Sequence, residues 1–281
     1  MQNNKRSVLV GTTLFIVALS IVSPADASKA CGAPAQVSEV YPSTNVLPEN
    51  LLRFYIYFSQ PMARNDAAVE AIHIEDAAGD IVPGAFLPTR FALWSPDGKR
   101  LTLVLDPGRV KTGLAAHDAF GRALRRGMRY ALVVPVALRD TRGCALTKPH
   151  RKAFTVIQAD LSPPRPESWQ IAVPRAGTRD PLTITLDGTY DHLSLAYRLR
   201  VRNSTGNVVA GSIRLADSDT TWIFKPRKTW AEADYTIAIG AQLEDLAGNR
   251  AGALFDRPAG RGAQPQQSGT LVLPFRASAM R

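Results

Sequence analysis

The sequence has few of the residue types that usually mark a catalytic or metal site. Its 281 residues include two cysteines and four histidines, and no GxSxG, HExxH, P-loop or GxGxxG motif occurs. No two histidines have the spacing of zinc ligands on one element. The sequence therefore predicts no metal, no cofactor and no catalytic residue. Distant Asp and Glu side chains could still meet in the fold as the carboxylate pair of a hydrolase.

Long hydrophobic runs are absent after residue 22. Before that point, Lys5 and Arg6 precede an apolar stretch over residues 7–22, and Ala25 and Ala27 supply the small residues that signal peptidase reads. Residues 1–27 are therefore predicted to be a cleaved signal peptide. No later run approaches the ~20 apolar residues of a spanning helix. We expect an exported mature chain without a membrane span, located in the periplasm, at the cell surface or secreted.

Both cysteines, Cys31 and Cys144, remain after removal of the signal peptide. An even count in a chain sent to an oxidising compartment predicts a disulfide. Closing so large a loop would stabilise the fold by about 4–5 kcal/mol in the chain-entropy model. The alternative is lipid attachment at Cys31, but Ser28-Lys29-Ala30 before it lacks the apolar residue of a lipobox.

Acidic residues are outnumbered, with 34 Lys and Arg against 24 Asp and Glu. Removing residues 1–27 takes away two cations and one anion, which leaves 32 against 23 and a formal charge of +9. The cations concentrate in one segment, which contains Arg100, Arg109, Lys111, Arg122, Arg125, Arg126 and Arg129. This basic segment is either a solvated face or a surface for an anionic envelope polysaccharide. A protein partner in the envelope stays open, and no nucleic acid partner is expected.

Two parts of the chain repeat each other as short alternating strands, and helical periodicity is nearly absent. The segment FYIYF matches LTITL at an offset of 128, and IHIEDAAGDIVPG matches LRVRNSTGNVVAG at 127. Trp94 matches Trp222 at 128, whereas YALVVPVALRDTRG matches YTIAIGAQLEDLAG at 105. The change of offset places an insertion in the first copy, at about residues 106–127.

Strands of this length with frequent turn signals predict an all-β fold of two tandem β-sandwich domains. The first domain is predicted over residues 28–160 and the second over 169–281. A proline-rich linker, LSPPRPES, is predicted between them at residues 161–168. Phe54, Ile56 and Phe58 should face the first core, and Pro61 should end their strand because proline cannot donate a ladder hydrogen bond.

Several segments carry a family resemblance. YIYFSQPM, the downstream Trp94 and GMRYALVVPVALRDTRG resemble the bacterial immunoglobulin-like domain named after the S-layer protein SbsA. DHLSLAYRLRV, TTWIFKP and YTIAIGAQLEDLAGN are similar to the domain that often follows it, although LDGTYD stands where the first copy has FSQPM. The resemblance covers most of residues 34–277. It implies immunoglobulin-like sandwiches used as spacers, cell-surface parts or appendages, and it implies no catalytic residue.

The sequence thus predicts an exported, non-catalytic protein with a structural, spacer or binding role in the bacterial envelope. The alternatives are a hydrolase of envelope polysaccharide and an adhesin that binds anionic polymers through the basic segment. Asp245 and Asn249, in DLAGN, could offer oxygen atoms to calcium, but the same residues are typical of a tight turn.

Overall fold

The computed structural model describes residues 31–88, 93–256 and 269–279. The predicted signal peptide, residues 1–27, lies outside the described residues. No helix in the described ranges is long and apolar enough to cross a membrane.

Strands make up most of the regular structure, and the predicted all-β class is confirmed. In chain order the strands are β1 Val37–Tyr41, β2 Val46–Pro48, β3 Arg53–Phe58, β4 His73–Asp76, β5 Leu93–Trp94, β6 Arg100–Val104, β7 Arg129–Val134, β8 His150–Ile157, β9 Gln170–Ala172, β10 Leu182–Thr185, β11 Leu199–Asn203, β12 Gly211–Ala216, β13 Thr221–Pro226, β14 Ala233–Ile239 and β15 Leu271–Ala277. The α-helices are short: α1 Asp66–Glu70, α2 Pro107–Val110, α3 Ala115–Phe120 and α4 His192–Arg198. A 3₁₀ turn covers Pro166–Ser168.

The strands form four sheets, which enclose two hydrophobic cores. Sheets β1-β3-β6-β5 and β2-β8-β7-β4 enclose the first core, and sheets β9-β10-β13-β12 and β11-β14-β15 enclose the second. Neighbouring strands pair antiparallel except β2 and β8, which pair parallel. Each core is thus filled by the inward residues of two facing sheets, as in a β-sandwich.

The alternation in β3 explains how the first core begins. Phe54, Ile56 and Phe58 point inward and are buried, as predicted. The strand ends at Phe58, and Met62, three residues beyond Ser59, is buried in the same core. The Met62 N–H donates to the carbonyl of Gly98 at 3.0 Å, so the chain after Pro61 has left the sheet.

The predicted match between Trp94 and Trp222 is wrong. Trp94 lies on the two-residue edge strand β5, which pairs with β6. Its ring packs on Phe58, with the ring centroids 6.0 Å apart. Trp222 lies on the inner strand β13, between β10 and β12, and is fully buried in the second core. By position in the sheets, β13 corresponds to β6. The two tryptophans have the same offset of 128 as FYIYF and LTITL, although they lie on strands that hold different positions in their sheets.

The predicted turn after β4 and its counterpart after β11 have the same hydrogen bonds. Asp76 Oδ1 accepts from the N–H groups two and four residues later, at 2.9 and 3.0 Å. Asn203 Oδ1 accepts from the same positions of its own turn, at 3.2 and 2.9 Å. Gly79 and Gly206 occupy the left-handed backbone position in each turn, with φ of 91° and 82°.

Two tyrosines each fix a loop at the start of a strand. The Tyr130 hydroxyl accepts from the Arg125 N–H at 3.1 Å, and the Tyr235 hydroxyl accepts from the Ala231 N–H at 3.0 Å. Both tyrosines are buried. Each hydroxyl therefore satisfies a backbone donor of the loop that precedes its strand.

Replacing either tyrosine by phenylalanine is expected to lower the free energy of unfolding by about 1 kcal/mol, because one backbone N–H loses its acceptor. Since Tyr130 and Tyr235 belong to different cores, the losses should add in the double variant. Urea denaturation of the two single variants and the double variant measures this. Unchanged midpoints in both single variants would show that the loops do not depend on the hydroxyls.

Candidate functional site

The outer face of β3 is covered by residues from the later part of the chain. Arg53, Tyr55 and Tyr57 alternate with the core residues and point away from the first core, yet Tyr55 is 2% exposed. We call this contact the seam and define it by Tyr41, Arg53, Tyr55, Tyr57, Arg100, Asp191, His192, Glu244 and Arg250. The described residues from Pro34 onward form one compact unit.

Asp191 lies at the centre of the seam because helix α4 begins there. Its Oδ1 caps the helix by accepting from the Ser194 N–H at 2.8 Å. Its Oδ2 accepts from the Tyr55 hydroxyl at 2.6 Å and lies 3.7 Å from Arg53 Nη1. One carboxylate thus serves a helix of the second core and a strand of the first.

Arg53 joins two carboxylates. Its Nη2 donates to Glu244 Oε2 at 2.7 Å, and Arg250 Nη2 donates to the other oxygen of Glu244 at 2.5 Å. The Asp191 N–H also donates to the Glu244 carbonyl at 3.0 Å. Arg53, Asp191, Glu244 and Arg250 therefore form a charged network that crosses between the cores.

The electrostatics favour a structural role for the tyrosine–carboxylate pair. Burial raises the pKa of Tyr55, and the Asp191 charge raises it further, so the hydroxyl keeps its proton and donates it. Burial also raises the pKa of Asp191, while Arg53 and the Tyr55 bond oppose that shift. The Tyr55 hydroxyl donates to Asp191 Oδ2, so each group satisfies the other within a buried hydrogen-bond network.

His192 fills the apolar side of the seam. Its ring stacks on Tyr41 with centroids 3.5 Å apart and planes at 20°, and its Nε2 lies 3.1 Å from the Tyr57 hydroxyl. Its Nδ1 is buried and has no hydrogen-bond partner among the described residues. Burial and the charge of Arg100 lower the pKa of His192 to about 4.

The free energy of unfolding is expected to fall as the pH drops from about 6.5 to about 4. His192 takes up its proton near pH 6.5 when unfolded but near pH 4 when folded, so the unfolded state binds more protons between these values. The contribution is complete above the unfolded pKa and is lost progressively until the pH reaches the folded pKa, and a difference of this size between the two pKa values corresponds to about 3 kcal/mol.

The control is His192→Phe, which keeps an aromatic ring on Tyr41 and does not titrate. The charged and titratable groups that face His192 are Arg100, Asp191 and the three seam tyrosines, and all are common to both proteins. The unfolding free energy of the wild type minus that of the variant should therefore fall as the pH drops toward 4. Parallel stability curves from pH 7 to pH 4, measured by urea denaturation, would contradict the assignment.

A second contact joins the cores at Asp219. Its Oδ2 accepts from both the N–H and the hydroxyl of Ser43 at 2.8 Å. Asp217, Ser218 and Asp219 are consecutive non-glycine residues with φ of 53°, 57° and 67°. Such backbone positions are costly, so the surrounding contacts must hold them. Lys152 Nζ donates to the Ser43 carbonyl at 3.0 Å on the other side.

A third contact involves the segment between β14 and β15. The Leu52 N–H donates to the Leu246 carbonyl at 2.9 Å, and Leu246 is buried in the first core although it follows β14 in the chain. Asp256 accepts from the Thr112 N–H at 2.8 Å and from Arg122 Nη2 at 2.7 Å. This segment therefore holds the part of the chain between β6 and β7, which contains α2 and α3.

The basic segment is divided between internal contacts and solvent. Arg109 Nη1 donates to the Pro83 carbonyl at 2.7 Å, Arg122 pairs with Asp256, and Lys111 Nζ lies 3.8 Å from the Phe255 ring centre. Arg100 lies in the seam, where its interaction with Tyr57 raises its pKa against the effect of burial. The remaining residues, Arg125, Arg126 and Arg129, are exposed.

A cleft of about 660 Å³ borders the seam and is lined by Arg53, Lys111, Thr112, Glu244, Arg250 and Phe255, with five further residues. Glu244 is the single carboxylate of the lining and is bonded to two arginines. Asp191 is not part of the lining. The two seam carboxylates therefore do not face each other across the cleft, as an acid and base for glycoside hydrolysis would.

The Asp245–Asn249 turn uses its oxygens internally. Asp245 Oδ1 accepts from the Ala247 and Asn249 N–H groups at 2.8 and 2.9 Å, and its Oδ2 accepts from Asn249 Nδ2 at 2.9 Å. The described residues contain no cluster of three or more His, Cys, Asp or Glu residues suited to a metal ion. The arrangement is that of a turn.

The same turn occurs after β7, where Asp140 Oδ1 accepts from the Arg142 and Cys144 N–H groups at 2.9 and 3.0 Å. Cys144 therefore holds the position that Asn249 holds in the later turn. Both cysteines are disulfide-bonded, and since the chain has two, the predicted bond between Cys31 and Cys144 is confirmed. Asn249 Nδ2 instead donates to the Asp160 carbonyl at 3.0 Å.

No family model matches the chain, and no curated protein matches it. Among solved structures, native alpha-2-macroglobulin from Escherichia coli, spanning domains MG0-NIE-MG1, is similar at 13% identity and a TM-score of 0.29, over 89% of this chain and 74% of that chain. The N-terminal part of the bacterial S-layer protein SbsC is similar at 14% identity and a TM-score of 0.30, over 91% of this chain and 47% of that chain. The N-terminal Ig1-2 module of the Drosophila receptor protein tyrosine phosphatase DLAR is similar at 14% identity and a TM-score of 0.26, over 74% of this chain and 91% of that chain. These values do not assign the chain to a family.

Proposed function

We propose that the protein is an exported, non-catalytic component of the bacterial envelope, built from two tandem immunoglobulin-like sandwiches after a signal peptide. The domains correspond to residues 28–160 and 169–281, with the linker at 161–168. The seam carries the proposal, because it commits two buried carboxylates, Asp191 and Glu244, to holding the sandwiches together. The role is that of a stiff spacer or structural part.

The chemistry of the seam supports this role over hydrolysis. A hydrolase needs an acid and a base that converge on a cleft. Here Asp191 is bonded to Tyr55 and the Ser194 N–H, and Glu244 is held by Arg53 and Arg250. Freeing Asp191 for catalysis would leave the buried Tyr55 hydroxyl without its acceptor. Freeing Glu244 would remove the carboxylate that joins the half-buried Arg53 and Arg250.

Incubation of the mature protein with peptidoglycan and with lipopolysaccharide tests the proposal. Mass spectrometry of the soluble fraction should show no fragments beyond those of a buffer control. Fragments released by the wild type and lost in Glu244→Gln would overturn the non-catalytic role and support the hydrolase. Fractionation of cells that carry the chain with its predicted signal peptide tests export, and recovery in the cytoplasm would contradict it.

A second candidate function, adhesion to anionic envelope polymers, is favoured by the exposure of Arg125, Arg126 and Arg129. Replacing all three by serine should lower the salt concentration at which the protein elutes from immobilised lipopolysaccharide, because each lost contact reduces counterion release by about one ion. The matched control replaces Arg165, Arg227 and Lys228, which are also exposed. Equal elution shifts for both triple variants would show that retention depends on net charge alone, and would contradict binding through Arg125, Arg126 and Arg129.

A further inference from the structure

Strand β12, Gly211–Ala216, lies at the end of its sheet. Among the described residues it pairs with β13 alone, and its first four residues are exposed. The Arg227 N–H donates to the Ala210 carbonyl at 2.8 Å, which fixes the hydrogen-bonding phase of this antiparallel pair. The phase alternates along the ladder, so the N–H and C=O groups of Gly211, Ile213 and Leu215 point away from β13, toward the open edge.

Apart from the charge of Arg214, this edge lacks the usual devices that prevent strand addition. Proteins blunt exposed edges with short strands, prolines or bulges. Edge strand β5 has two residues, β1 has a register shift, and β15 contains Pro274. By contrast β12 has six residues, no proline and an unbroken register with β13. It therefore offers a regular row of backbone donors and acceptors to an incoming strand.

An apolar groove lies beside the inner face of this edge. The groove has a volume of about 280 Å³, and its lining includes Tyr197, Val208, Val209, Ile213, Trp222 and Phe224. Tyr197 is 59% exposed and Val208 is 54% exposed, so apolar surface here faces solvent. The indole N–H of Trp222 is buried and has no hydrogen-bond acceptor among the described residues. The inner side chains of an added strand would cover this surface.

Cations predominate in the chain that leads up to and includes this edge, although Asp217 follows the strand directly. Residues 192–216 contain four arginines and no Asp or Glu. On β12 itself, Ser212 and Arg214 lie on the face opposite to Ile213, since side chains alternate along a strand. The outer side chains of an added strand would therefore stand beside Arg214. Carboxylates at those positions would be attracted, and ammonium groups would be repelled.

We propose that β12 binds an extended acidic segment of another envelope protein by strand addition. In that segment apolar residues alternate with Asp or Glu, so that the apolar side chains enter the groove and the carboxylates face Arg214. A second copy of this chain fits less well, because a symmetric pairing would bring the two basic surfaces together. The groove touches the seam through Tyr197, which interacts with Arg100, and none of the residues that define the seam lines the groove, so failure of this site would leave the proposed structural role standing.

Synthetic ten-residue peptides provide the test: one alternates valine with glutamate, and a matched one alternates valine with lysine. Hydrogen exchange followed by NMR should show that the amides of Gly211, Ile213 and Leu215 gain protection with the glutamate peptide. The lysine peptide should bind at least about tenfold more weakly, because complementary charge at an interface favours binding and like charge opposes it. No gain in protection with the glutamate peptide at millimolar concentration overturns the proposal. Protection that rises with protein concentration alone overturns it in favour of a second copy.

Variants of β12 separate the contribution of the backbone to peptide binding from the contribution of the charge. Ile213→Pro removes one outward N–H and should abolish peptide binding, whereas Ile213→Thr keeps that N–H and should weaken binding less. Arg214→Glu leaves the backbone unchanged and should reverse the preference, so that the lysine peptide binds better. If Ile213→Pro does not fold, the Arg214→Glu result decides. Retention of the original preference in Arg214→Glu contradicts the proposed chemistry.

Discussion

Replacing Asp191 with alanine is expected to lower the free energy of unfolding by about 3–5 kcal/mol, which is typical for removing one partner of a buried charged pair. The Tyr55 hydroxyl and the Ser194 N–H both lose their acceptor, and Arg53 keeps only Glu244 of its two carboxylate partners. Helix α4 also loses its cap. The effect should therefore exceed that of a core substitution of similar size, such as a valine replaced by alanine.

The matched variant is Asp191→Asn, which keeps the shape and the helix cap and changes the charge. We expect it to lose about 1–2 kcal/mol, because a neutral acceptor still satisfies the Ser194 N–H. Urea denaturation, followed by tryptophan fluorescence, measures both values. A loss below 1 kcal/mol for Asp191→Ala would mean that water replaces the carboxylate and that the seam adds little to stability.

Removing the disulfide is expected to have an effect of similar size. Serine at both Cys31 and Cys144 should lower the free energy of unfolding by about 4–5 kcal/mol in the chain-entropy model, because the unfolded chain gains the freedom of a long open loop. Hydrogen exchange should show the loss in β3 and β6 of the first core. Strands β10 and β13, which lie outside the closed loop, should keep their protection.

Reduction of the wild type provides the control, since it should reproduce the stability of the double serine variant. Adding reductant to that variant should change nothing. Mass spectrometry of the exported protein checks the bond itself. Two free thiols under non-reducing conditions, or a lipid-modified Cys31, would refute it.

Local patterns in the sequence predicted the parts of the fold that depend on neighbours along the chain. The period of two in FYIYF placed Phe54, Ile56 and Phe58 in the first core, and the DLAGN segment indicated the turn that begins at Asp245. Each of these features depends on a single strand or a single turn, and strands and turns each have a characteristic residue composition. The match of Trp94 with Trp222 failed because it relied on spacing across a loop of variable length.

The seam was not predicted from the sequence. Tyr55 and Tyr57 occupy the positions of β3 that a single sandwich would leave in solvent, and their partners, Asp191 and His192, are more than a hundred residues away in the chain. One signal was present: β3 reads RFYIYF, so both faces carry aromatic bulk, which is typical of a strand covered on two sides. The internal contacts within the basic segment were not predicted for a similar reason. Arg122 lies near other cations in the chain, yet its partner, Asp256, belongs to a distant loop.

The covalent loop between Cys31 and Cys144 also determines how the protein would respond to mechanical load. Tension that enters the chain before Cys31 passes through the sulfur–sulfur bond to Cys144, so strands β1 to β7 carry none of the pull along their own backbone. They cannot be drawn out even when their hydrogen bonds break. The greatest length that the protein can reach when stretched is therefore controlled by the redox state of its surroundings.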